Sequence, residues 1–469
     1  LPWVSHTSRE GVRVLKVVLT CLKYDYNDKS RGYSFEYENF YKTLIRMDGI
    51  ELLFFDICDF GDKKKREDNN NNLIKLVKKE KPDVLFNILY EDQIKKETFL
   101  YIKNNTNTIL VNWFCDDQWR FESTSVKWCW CFDYCVTTYK KAIVKYKELG
   151  YENIIFSQWA CNQYNYFKRD IPFKYDVSFV GQPHSNRREI INKLKQKEIE
   201  VACFGYGWNE KDPNSSRISQ DSMIDVFNSS KINLNLSNSS HLDAPQQIKG
   251  RNFEVPACGA FILTSDVEGL SNYYEIGKEV VVYSSFTDMV DKIKYFLINE
   301  DERRDIANSG YIRTIKEHTY ENRLNYIFKI VLKNGKDTNN KMDDLFYRFN
   351  YKKKVDVLSA IFKNAEGKNV GIYGSGDHTT NLIKYYKKLI GDIKFNTYYF
   401  DSNSLKWGTE YLGSIIHSPK EIDELNLDRI IISSYEYEED IFKYLNEITS
   451  GINIVKIYND DKKENLFAD

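Results

Sequence analysis

From residue 13 to residue 332, short apolar runs of strand length alternate with stretches of helical spacing. Runs at 13–20, 51–56, 83–89, 108–113 and 134–138 read as strands. Segments 33–47, 73–79, 95–103 and 140–149 carry the apolar spacing of helices. Strands of a parallel sheet are covered on both faces, so they read as continuous apolar runs rather than as alternation. Between them, Glu67-Asp68-Asn69-Asn70-Asn71-Asn72 reads as a solvated loop ahead of the helix at 73–79. A second alternating series opens at 175–181 and runs through a helix at 187–197, strands at 200–204 and 231–236, and a long last helix at 320–332. A third starts at 368, with strands at 370–373, 396–400, 429–433 and 452–457. The pattern predicts an α/β protein with two Rossmann-like domains, 12–170 and 171–332. A charged linker at 333–354 and a small Rossmann-like domain at 355–469 follow.

Composition narrows the partners. Lys plus Arg number 67 and Asp plus Glu 68, giving a net charge of −1. The basic excess of a general nucleic-acid binder is absent. No apolar run spans a bilayer. Residues 14–22 are interrupted by Lys16 and offer no small-residue cleavage site, so they do not read as a signal peptide. The expectation is a soluble, cytoplasmic protein, with peripheral membrane contact open to it. Nine cysteines fit reduced thiols. Aromatic residues make up 15% and include 34 Tyr. That suits sugar-facing surfaces, although an AT-biased genome rich in Lys, Asn and Tyr codons gives the same excess.

The most informative stretch is 246–269. Arg251-Asn252-Phe253-Glu254-Val255-Pro256-Ala257 reads as a helix end carrying a buried acid, Cys258-Gly259 stops it, and 260–264 reads as a buried strand. Upstream, Gly181 follows one strand and Arg187 opens the next helix; Gly205 and Gly207 follow another strand. Glycine turns and helix starts offer N–H groups to anions, and Arg187, Lys249 and Arg251 can neutralise a diphosphate, with backbone N–H groups at Gly181 and Gly259. These features, at 176–181 and 247–264 above all, resemble the nucleotide-sugar-dependent glycosyltransferases of the GT-B fold. The likeness is strongest to the bacterial group-1-like branch that includes spore-maturation glycosyltransferases, and it covers about 14–332. It implies two facing Rossmann-like domains and a Glu, here Glu254, holding the ribose hydroxyls of a UDP-, GDP- or dTDP-sugar. It also implies a leaving diphosphate stabilised without a metal. Many members carry a second acid eight positions earlier, where this chain has Gln246.

The acceptor side is expected in the first domain, where Trp113-Phe114-Cys115-Asp116-Asp117-Gln118-Trp119 follows a strand. Asp116 or Asp117 can orient or deprotonate an acceptor hydroxyl, with Glu36 a further candidate; either Asp can instead cap the next helix. No His lies between 7 and 183, which leaves the acids as bases. Trp113, Trp119, Trp128 and Trp130 can stack on sugars, but Trp128 or Trp130 reads as core. Cys129, Cys131 and Cys135 do not have zinc spacing. In the third unit Gly374-Ser375-Gly376 and Asp401 resemble a dinucleotide fingerprint in which Thr379 replaces the last glycine. The reading is transfer of a sugar to a glycan, lipid-linked or protein hydroxyl. A nucleotide-sugar epimerase and a non-catalytic nucleotide-binding protein are the alternatives.

Overall fold

The computed structural model describes residues 14–57, 63–89, 92–208, 218–238, 245–336, 357–362, 365, 367–434 and 437–457. The chain divides into two compact units, 1–338 and 339–469.

The first unit holds two parallel sheets. In the first, β1 (Leu15–Cys21), β2 (Ile50–Asp56), β3 (Val84–Asn87), β4 (Ile109–Phe114), β5 (Tyr134–Thr137) and β6 (Ile154–Phe156) lie in the order β2-β1-β3-β4-β5-β6. Val17, Val18, Leu19 and the whole of β3 and β4 are buried, as the apolar runs require. A polar ladder crosses this core: Thr20 donates to Asn87, and Asn87 to Asn112 at 2.6 Å. In the second sheet, β7 (Tyr175–Val180), β8 (Val201–Phe204), β9 (Ser230–Asn235), β10 (Ile262–Ser265) and β11 (Val281–Tyr283) lie in the order β11-β10-β9-β7-β8. The order reverses between β7 and β9, so a crevice opens at their carboxyl ends. The α/β class with two facing parallel-sheet domains is therefore as the sequence predicts.

Two elements differ from expectation. The helix Lys63–Glu80 includes the Asn-rich run that reads as a loop. Asn70, 2% exposed, accepts from the Lys95 amide at 2.8 Å and from Thr98 Oγ1 at 2.6 Å, so a tertiary partner outweighs the low helix preference of Asn. The helix Tyr320–Asn334, contiguous in sequence with the second domain, returns to the first. Tyr320 lies 4.7 Å from Phe40 between ring centres, and Phe328 lies 6.1 Å from Phe86. The first residues of the expected linker, Lys333 and Asn334, continue this helix, and 337–354 lie outside the described residues.

The second unit carries a third sheet. Its strands β12 (Asn369–Tyr373), β13 (Asn396–Phe400), β14 (Glu410–Tyr411), β15 (Ser414–His417), β16 (Arg429–Ile432) and β17 (Asn453–Lys456) lie in the order β14-β15-β13-β12-β16-β17, parallel except for β14. It has cores of its own, built on Val370, Ile372 and Ile431 on one face and on Phe400, Ile430 and Leu445 on the other.

Candidate functional site

The carboxyl ends of the first two sheets enclose a cavity of about 690 Å³. From the first domain come Tyr26, Phe35, Asp116, Trp119 and Arg120; from the second come Val180, Gly181, His184, Arg187, Lys249 and Arg251. A neighbouring cavity of about 550 Å³ shares Gly181, His184 and Arg251, and reaches Gly205, Tyr206 and Glu254.

Glu254 sits on the helix Arg251–Ala257, buried from Asn252 onward. Gly259 at φ 64° ends this helix, with its N–H on the Pro256 carbonyl. Glu254 is fully buried and pairs with Arg251 Nη1 through Oε2. Its Oε1 has no hydrogen-bond partner among the described residues. A buried carboxylate oxygen left open beside a cavity can accept a hydrogen bond from a bound donor; the buried Tyr166 phenol also interacts with this carboxylate. Gly250 leaves room beside this oxygen: a Cβ there would stand 3.0 Å from it.

The cations divide by role. Lys249 lines the larger cavity, and burial lowers its pKa to about 8 despite the Asp116 charge, with Arg187 adding to the fall. Arg187 is lowered to about 10 by burial and by Arg251; its Nη atoms hold the carbonyls of Gln182, Leu236 and Asn238 at 2.8–3.0 Å. It therefore shapes the loops while adding positive charge. Arg251 is raised: burial alone would lower it, and the Glu254 carboxylate outweighs that. His184 is lowered by burial, Arg187 and Lys249, which favours the neutral imidazole. Several positive groups gather at the ends of β7 and β9, which is chemistry that suits an anion.

The glycines behave differently from expectation. The Gly181 N–H is taken by the Phe204 carbonyl at 2.8 Å, and that of Gly259 by Pro256 at 2.8 Å, so neither is open to a diphosphate. Gly259 also precedes β10 and therefore lies at the opposite edge of the sheet, away from the cleft. Gly205 lets two loops meet at φ 142°, where a Cβ would stand 2.4 Å from the Gly181 carbonyl oxygen. Gly207, at φ 97°, turns the same loop and lies against Pro183.

The acidic pair separates. Asp116 faces the cavity and accepts from Gln118 at 3.1 Å and from Gln247, across the cleft, at 3.4 Å. Asp117 points into the first domain. It is 2% exposed and accepts from Ser125, Thr137 and Tyr146, and burial raises its pKa. It is a structural acid, not a base for an acceptor. Glu36 is half-buried and raised, chiefly by burial and further by Asp25 and Asp116. Of the four tryptophans, Trp119 faces the cavity, while Trp113, Trp128 and Trp130 are core. Cys129, Cys131 and Cys135 are buried thiols.

Sequence reasoning missed the support beneath Lys249. Asn252 Oδ1 accepts the Lys249 amide at 2.8 Å, while Asn252 and Asn235 both donate to Thr264 Oγ1. An Asn second in a helix looks like ordinary surface, and only the fold shows it buried. Gln246 is exposed; its neighbour Gln247 is the residue that reaches the cleft.

In the second unit, Gly374 takes φ 112° against the Ser433 carbonyl, as a tight loop demands. Asp401 accepts from Ser375 and from Lys406 at 2.8 Å, and Thr379 donates to Ser433 at 2.8 Å. Ser375 and Asp401 are thus joined to each other, and Thr379 to Ser433 just past β16.

A family model described as glycosyl transferase-like matches residues 186–329, and one described as C2185-like, N-terminal, matches residues 366–458. No curated protein matches the chain. Among solved structures, a glycosyltransferase from Rickettsia africae is 12% identical, covering 69% of this chain and 100% of its own at a TM-score of 0.47. The Anabaena protein Alr3699/HepE, solved with UDP and glucose, is 10% identical over 68% and 100%, at 0.48. A structure titled as a putative UDP-N-acetylglucosamine 2-epimerase from Listeria monocytogenes is 9% identical over 67% and 95%, at 0.41. At these scores none of the three bears on the activity. No described helix is long and apolar enough to cross a membrane.

Proposed function

We propose that the protein transfers a sugar from a nucleotide diphosphate to a hydroxyl of a surface glycan, a lipid-linked glycan or a protein. In this reading it belongs to the branch that includes spore-maturation glycosyltransferases. The observation that carries the reading is the open Oε1 of fully buried Glu254, beside a cleft bearing Lys249, Arg187 and Arg251, within the segment matched by the glycosyl transferase-like model.

Glu254 accepts hydrogen bonds from the donor ribose. Lys249 and Arg251, with the charge of Arg187 behind them, offset the diphosphate as it gains charge on leaving. Asp116, on the opposite wall, orients the acceptor hydroxyl and takes its proton as the oxygen bonds to the sugar carbon. Trp119 offers that acceptor an apolar face. In this reading no metal is needed for these steps, since the cations offset the charge as it develops.

The test is a thermal-shift screen against UDP-, GDP-, dTDP- and CMP-sugars, followed by chromatography for released nucleotide. At a hundred times Kd a ligand stabilises the fold by about 2.7 kcal/mol. One hit with slow release of a nucleoside diphosphate is the expected result. A shift with NAD or AMP and with no nucleotide sugar overturns the proposal.

A further inference from the structure

The parallel sheet of the second domain has two ends, and the cleft uses only one. At the amino ends of β9 and β10 lies a cavity of about 570 Å³, lined by Lys168, Phe173, Lys231, Gly259, Arg303 and Arg304 among others. Its size is that of a small-molecule pocket. We propose that it is a second anion site, binding the phosphate group of a small phosphorylated metabolite.

The charges on its walls are mostly committed. Arg169 pairs with Asp221 and with Asp225 at 2.7 Å, Lys231 with Asp176 at 2.7 Å, and Arg304 with Glu300 at 2.6 Å. Asp170 also lines the cavity, and the Glu300 charge reaches Arg303. Among the described residues, two lining cations remain without a carboxylate in hydrogen-bond contact. Among the described residues, Lys168 bonds the neutral Asn308 Oδ1, at 3.0 Å, and lies 4.1 Å over the Tyr311 ring. Arg303 is 2% exposed; its Nη1 donates to the Phe296 carbonyl, and its Nη2 has no partner among the described residues. A guanidinium presents its N–H groups in a planar fork, and leaving one buried and unmet is unfavourable unless an acceptor arrives. Two cations without a carboxylate partner suit one phosphate group, although Glu300 and Asp176 act on Arg303 from a distance.

The wall is built for this arrangement. Gly259 lies directly beneath the Lys168 stem: a Cβ there would fall 2.2 Å from Lys168 Cε, and the backbone is left-handed at φ 64°. The glycine that ends the Glu254 helix thus gives Lys168 its path on this face. Phe173 is 43% exposed, and its ring centre lies 5.9 Å from Arg303 Cζ and 5.8 Å from Arg304 Cζ. It offers an apolar face to the organic part of the ligand.

The experiment is isothermal titration of the full chain with inorganic phosphate and with glucose 6-phosphate, in the unmodified protein and in Lys168→Met, Arg303→Met and Lys249→Met. Lys168 is exposed, so its variant keeps the fold even if Arg303→Met does not. The expected result is binding that survives Lys249→Met and weakens at least ten-fold in Lys168→Met. Affinity unchanged in Lys168→Met, binding lost in Lys249→Met alone, or no binding at millimolar phosphate overturns the proposal. Lys168-dependent binding of phosphatidic acid vesicles, with neither soluble probe bound, would make the ligand a lipid headgroup and overturn the metabolite.

Discussion

Glu254 and Lys249 set the expected behaviour of the donor site. Glu254→Gln keeps the shape but removes the charge proposed to accept ribose hydroxyls; hydrogen bonds to charged groups contribute about 1.5–3 kcal/mol, so donor affinity should fall roughly ten- to a hundred-fold. Titration calorimetry with the nucleotide found in the screen measures this, and unchanged affinity would sink the ribose assignment. Lys249 adds a pH signature. Its pKa of about 8 lies below the ordinary 10.5, so the unfolded chain binds more protons between those values. Raising the pH from 8 to 10.5 therefore adds stability to the ligand-free fold at this site. The same change strips the charge proposed to meet the diphosphate, so donor affinity should fall above pH 8. Lys249→Met should bind weakly with no such slope. Parallel pH slopes for stability and affinity would contradict this account.

At the scale of elements, the polar first turns of the helix Lys63–Glu80 are tied to the next helix by the buried Asn70. Asn70→Ala leaves the Thr98 hydroxyl and the Lys95 amide without their shared acceptor. The cost should be about 1–3 kcal/mol, read as a lower urea midpoint with the slope preserved. This helix also shows where sequence reading stops. Apolar spacing is legible from Leu73 onward because Leu73 and Val77 face the core. The turns before it are held by a polar contact to a segment some 25 residues away, which no local pattern records. The helix Tyr320–Asn334 is the complementary case. Its apolar stripe is plain in the sequence, but a stripe does not say which sheet it will cover. The strands were easier: burial on both faces leaves apolar runs that need no partner to be recognised.

At the scale of the molecule, the cleft takes its chemistry from two domains, and the two halves were not equally legible. Strand-then-turn order places both Asp116 and Asp117 at the cleft edge, and nothing in the dipeptide says which faces out. Ser125, Thr137 and Tyr146 decide it by converging on Asp117, and those hydroxyls come from up to 29 residues away. The two residues should therefore fail in different ways. Asp116→Asn should lower kcat by about 10²–10⁴, the usual contribution of a positioned base, with donor affinity and thermal midpoint kept. Asp117→Asn leaves three hydroxyls facing an amide in a buried pocket, so it should lower the midpoint and reduce kcat only in proportion to folded protein. On the proposed reading, turnover of the unmodified protein should persist in excess EDTA, because there Lys249, Arg187 and Arg251 meet the leaving diphosphate. If Asp116→Asn keeps full turnover while a Glu36→Gln variant loses it, the base is Glu36, raised by burial beside Asp25 and Asp116. That outcome would move proton transfer to the loop after β1 and leave the donor half of the cleft as described.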